Sequence, residues 1–102
     1  MTRVGDDVAA TFHHGRNSDI DTVAEPLTTA RPRLSRGVQL KASASNSATI
    51  YVGNHDVTIN ANDATDGFPL EPGDALFLPV DSPHKIYLIA GALNQSLSWL
   101  GV

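Results

Sequence analysis

Short runs in which apolar and polar residues alternate, cut at close intervals by Gly, Pro, Asn and Asp, fill the last two-thirds of this chain. Period-two alternation places successive side chains on opposite faces of an extended backbone, and closely spaced turn residues join such segments into antiparallel sheets. The pattern predicts strands over 37–42, 48–52, 56–59, 68–70, 75–80, 85–90 and 96–100. Their inward faces give the expected core: Val38 and Leu40, Ile50 and Val52, Val57 and Ile59, Leu76, Leu78 and Val80, Ile86 and Leu88, Leu97 and Trp99. The opposite faces carry Gln39, Lys41, Thr49, Tyr51, Thr58, Tyr87, Ser96 and Ser98, the half-wet pattern of antiparallel sheets. The expected fold is all-β, a compact antiparallel β-sandwich, with a jelly roll or a partly closed barrel fitting the same alternation.

The turn residues refine this picture. Gly53-Asn54 suits a tight hairpin between the second and third strands, and the Asn, Asp and Thr residues of 60–67 suit a longer loop. In Pro72-Gly73-Asp74, proline presets the first turn dihedral and glycine accepts positive φ at the next position. Pro69 and Pro79 point to sheet edges or strand ends, because neither donates to a ladder.

Residues 1–33 look different. Charges, Thr and Ala alternate there without sustained period-two or 3.6-residue recurrence, which predicts an extended N-terminal arm ahead of a β-sandwich domain over 34–102. The scattered apolar residues of this lead-in, Val8, Phe12, Ile20, Val23 and Leu27 with Leu34 at its end, are too sparse for a core of their own, though several could dock on a neighbour. Phe12, Ile20, Val23 and Leu27, with the basic Arg31 and Arg33, are therefore the candidate partner-binding residues. An arm of this kind is expected to be removable without unfolding the domain.

A chain of 102 residues makes one domain, near the size at which a single hydrophobic core is only marginally stabilising. With no cysteine there is neither a disulfide framework nor a thiolate site, so self-association is the expected source of further buried surface. The longest apolar stretch, 86–93, falls far short of the roughly 20 residues that span a bilayer. The polar, acidic residues 1–7 lack the apolar centre of a signal peptide, so no membrane association and production without secretion are expected. A net charge of −4 repels a phosphate backbone and argues against sequence-independent nucleic-acid binding.

Chemistry-bearing residues are few. The run from Gly73 through Pro79 to His84 resembles the second cupin motif, in which a histidine ligates a metal at a barrel mouth, but Asp81 stands where that motif has glycine and Leu88 where it has asparagine. A metal-bearing cupin also needs two histidines one residue apart and a glutamate nearby, whereas His13 and His14 are adjacent and would point to opposite faces of a strand. His84 is better read as a loop residue after a Ser-Pro turn. Asp63, Asp66 and Asp74, with Asn60 and Asn62, lack the alternate-oxygen spacing of an EF-hand and suit solvated turns. His55 and Asp56 have no Gly-x-Ser-x-Gly elbow to serve. Trp99, alternating with Leu97, reads as a core-sealing residue. No catalytic residue, metal or cofactor is expected, and the chain is expected not to be an enzyme.

The widest resemblance spans residues 36–102. Arg36-Gly37-Val38-Gln39-Leu40, Tyr51-Val52-Gly53 with Val57-Thr58, Gly67-Phe68-Pro69-Leu70-Glu71-Pro72-Gly73, Ile86-Tyr87-Leu88-Ile89-Ala90 and Leu97-Ser98-Trp99-Leu100 follow in an order similar to small β-sandwich structural proteins of tailed bacteriophage virions. The resemblance implies a head decoration or cement protein, made in the host cytoplasm and carried on the capsid surface, with the major capsid protein as partner and a homotrimer as its own assembly. A tail- or fibre-associated module that binds a host surface is the alternative it leaves open, and a small cupin-type metal-binding protein is a further one.

Overall fold

The computed structural model describes residues 11–59 and 62–102. Two antiparallel four-stranded sheets pack face to face, as the alternation predicts. The first is ordered β1 (His13–Ile20), β8 (Gln95–Gly101), β3 (Val38–Ala42), β6 (Ala75–Leu78). The second is ordered β2 (Glu25–Pro26), β7 (Tyr87–Ala90), β4 (Ile50–Gly53), β5 (Phe68–Leu70). A 3-10 turn, Pro83–Lys85, precedes β7.

The core follows the period of two. Val38, Leu40 and Ala42 of β3 are buried while Gln39 and Lys41 between them are exposed, and in β8 Gln95, Leu97, Trp99 and Gly101 are buried. Ile50 and Val52 of β4, Leu70 of β5, and Leu88 and Ala90 of β7 close the core from the other sheet. Leu76, Leu78 and Val80 pack against it half-buried, so the sandwich is looser where β6 forms its border. The Pro72-Gly73 turn has the expected form: Gly73 adopts φ +90°, which a side chain would disfavour, and the Asp74 N–H donates to the Glu71 carbonyl at 2.8 Å. Pro69 lies in β5, at the border of its sheet, and Pro79 directly follows β6, at the border of the other.

Two expectations are corrected. Residues 13–34 are not an arm but part of the sandwich, so the boundary between 33 and 34 divides nothing among the described residues. β1 pairs with β8 from His13 opposite Gly101 to Ile20 opposite Gln95, with a bulge between Asn17 and Ile20. The chain then crosses to the second sheet. The Ala90 N–H donates to the Asp21 carbonyl, Glu25 and Pro26 pair with Leu88 and Tyr87, and the N–H groups of Leu27 and Leu34 donate to the carbonyls of Ile86 and Asp81. Ile20, Leu27 and Leu34 are all buried in the central core. The physical reason is that an edge strand is held by backbone pairing along one side, so β1 needs only one apolar anchor. Its inward positions His13, Gly15 and Asn17 are half-buried and none is apolar in the usual sense. Residues 1–10 of the expected arm, Val8 among them, lie outside the described residues, as does Asn60.

Residues 56–59 are not a strand either. β4 pairs instead with β5, Tyr51 opposite Pro69, and the 54–67 connection closes on itself. The Thr58 N–H donates to the Thr65 carbonyl and the Gly67 N–H to the Thr58 carbonyl, both at 2.9 Å, while the Thr58 and Thr65 hydroxyls lie 2.7 Å apart. Asp63 and Asp66 accept from Thr65 and Thr58, so local side chains satisfy a backbone that would otherwise seek a ladder. Val57 is buried as expected, yet outside the central core, seated over Gly53 and Gly67.

Candidate functional site

The six candidate partner-binding residues separate into two groups. Phe12, Val23, Arg31 and Arg33 are exposed; Phe12 and Val23 retain 60% and 66% of their accessible surface. Ile20 and Leu27 retain 0% and 2% and lie inside the core, so neither is available to a partner. They were legible as apolar anchors, but the neighbour they dock on is their own second sheet.

No assembled chemistry emerges around the histidines. His84 sits in the 3-10 turn with its Nδ1 2.7 Å from the buried Ser82 hydroxyl, as a turn residue. His13 and His14 lie side by side on β1, where they face opposite sides of the sheet. His55 packs edge-on against Tyr87 with ring centroids 6.4 Å apart. Among the described residues no three His, Asp or Glu side chains converge as metal ligands. The two perturbed carboxylates have local causes. Hydrogen bonds from the Thr65 side chain and backbone hold Asp63 below the usual carboxylate range. The hydrogen bond and charge of Lys85, 2.7 Å away, do the same for Asp81, with a smaller contribution from the charge of Arg33.

A surface groove lies along β1, a border strand of the first sheet. A groove of about 690 Å³ runs beside residues 12–19 and is walled on its far side by residues 27–32. Asn17 ties the two walls at one point, its Nδ2 donating to the Leu27 carbonyl at 3.3 Å. Trp99, only 7% exposed, contributes to the lining. Gly15 stands directly opposite Trp99 in register, and a Cβ there would fall 2.7 Å from Trp99 Nε1. A glycine is what lets the strand lie flat on the indole edge. The indole N–H finds no hydrogen-bond partner among the described residues, although buried polar groups rarely go without one. Arg31 and Asp19 bring one charge of each sign to the groove, while the Arg16 side chain bonds Ser96 on the outer face of the sheet.

At the opposite side of the sandwich, β5 and β6 part to leave an apolar cleft of about 450 Å³ between Val52, Phe68, Leu76, Leu78, Val80 and Ile86. No known protein family, characterised protein or solved structure matches this chain. Phe12 and Arg31 both line the groove beside β1, while Val23 and Arg33 do not. The groove's other wall was missed, because β1 carries no apolar alternation to announce it.

Proposed function

We propose that this protein is a non-enzymatic structural component of a tailed-phage virion, a head decoration protein that bridges major capsid subunits. The observation that carries this reading is the order of motifs over residues 36–102, which resembles small virion sandwiches. In the fold those motifs are the strands β3, β4, β5, β7 and β8, the framework of both sheets. A compact domain with a groove beside a border strand is in keeping with a role in binding other protein surfaces. The bridging contacts fall to the exposed Phe12, Val23, Arg31 and Arg33 rather than to Ile20 and Leu27.

The mechanism is mechanical. A protein that binds only the assembled shell stabilises that shell through linkage, and many copies multiply the gain by avidity. In this reading the chain self-associates as a trimer about a local symmetry axis. Immunogold electron microscopy and mass spectrometry of tailed particles from a host carrying this coding sequence test the proposal. Regular labelling of heads is the expected result. Labelled tails would move the protein to the tail, and particles without the chain would overturn the reading.

A further inference from the structure

Each sheet has two border strands, and two of the four contain a proline while a third is followed by one. Pro26 lies in β2, Pro69 lies in β5, and Pro79 follows β6 directly. A proline removes a donor from the strand's free side and is a common protection against unwanted strand addition. β1 is the longest border strand at eight residues, and it has none. Among the described residues no backbone hydrogen bond crosses from the outer edge of β1 to residues 27–32, and the groove lies between the two.

We propose that the β1 edge accepts an extended, acidic peptide segment of a partner protein, which adds to the first sheet as a fifth strand. Three observations define this occupant. The free N–H and C=O groups of β1 fit another extended backbone, the recognition mode in which main-chain bonds supply affinity and neighbouring pockets supply selectivity. The Trp99 N–H, without a partner among the described residues and set against Gly15 at the groove, calls for an acceptor that a peptide carbonyl or a carboxylate provides. Arg31, exposed on the wall that faces β1, favours an acidic side chain on the incoming strand and disfavours a basic one. Arg16, by contrast, is held over β8 on the outer face of the sheet by a 2.8 Å bond from its Nε to the Ser96 hydroxyl, which leaves Arg31 as the cation of the site. Phe12, at one end of the groove, is the apolar contact of the site.

The inference deepens the virion reading and rests on it only for the partner's identity, a capsid subunit segment. Its test does not need that identity. Peptides are selected from a random-peptide display library on the full chain, synthesised, and titrated into the ¹⁵N-labelled protein. The chain has one tryptophan, so a single indole N–H resonance reports the groove. The expected winners alternate acidic and apolar residues without proline, shift that resonance, and raise the exchange protection of the β1 amides. Arg31→Glu is expected to weaken them by about tenfold while leaving the melting temperature unchanged. The proposal is overturned if no peptide is selected, if those selected leave the indole unmoved, or if oligosaccharides shift the indole where peptides do not. Full protection of the β1 amides in the free chain, showing the edge already covered, overturns it too. Peptides that bind as expected, with the chain absent from particles, sink the virion reading and leave the strand-addition site standing.

Discussion

Gln95 grips Ser47 at two points: its Oε1 accepts from the Ser47 N–H at 2.9 Å and its Nε2 donates to the Ser47 hydroxyl at 3.0 Å. The same amide accepts from the Ala48 N–H and donates to the Leu93 carbonyl, so a side chain only 2% exposed has its hydrogen-bonding capacity met. It ties the connection between β3 and β4 to the start of β8. Gln95→Leu keeps the volume but strands these partners, and at about 1–3 kcal/mol for a buried orphan the expected loss is about 3 kcal/mol. Urea unfolding measures it; an unchanged midpoint would show that water replaces the amide.

Ile20 decides whether the N-terminal third is structural. Its side chain is fully buried at the end of β1, so Ile20→Ala is expected to cost about 2–5 kcal/mol as a cavity in the core. Deleting residues 1–30 removes β1, β2 and Leu27 as well, and the remainder is expected to lose its cooperative thermal transition. Retention of a sharp transition would restore the detachable-arm picture.

Gly15→Ala tests the contact with Trp99. The added methyl would lie 2.7 Å from the indole nitrogen and 2.8 Å from Cε2, on a rigid ring that cannot swing away within the core. Overpacking of this kind costs about 1–3 kcal/mol, and the emission of the sole tryptophan should shift as the strand lifts. A variant as stable as the parent would show that β1 sits further from β8 than the register implies.

The acidic loop gives a pH dependence with a definite sign. The hydrogen bonds from Thr65 depress the Asp63 pKa, and Lys85 depresses that of Asp81. A depressed folded pKa means the stabilisation is fully present above the ordinary value near 3.8 and is lost as pH falls through the lower folded midpoint. Carboxylate ¹³C titrations should place both midpoints below 3.8, and Thr65→Ala should return Asp63 toward it while leaving Asp81 unmoved. Equal movement of both would contradict the local origin of the shifts.

The sequence was most readable where each face of a strand has its own solvent. β3 shows this plainly, with Val38, Leu40 and Ala42 inside and Gln39 and Lys41 outside. β1 was unreadable for the opposite reason: its inward side meets a groove and an indole edge, so His13, Gly15 and Asn17 serve where apolar residues would normally be required. Residues 56–59 misled in the other direction. Val57 and Ile59 alternate like a strand, but the threonines and aspartates around them bond one another first, and Val57 finds burial outside the core. The prolines were legible as border markers; that they leave one border unmarked became visible only when β1 was in place.

The three prolines at the borders also set a stoichiometry. A sandwich with two open borders could take a strand on one side and offer a strand on the other, and copies could then link without limit. With Pro26 and Pro69 inside two border strands and Pro79 at the end of a third, a guest strand seated on the eight-residue β1 would leave no second proline-free border of that length from which a sheet could grow.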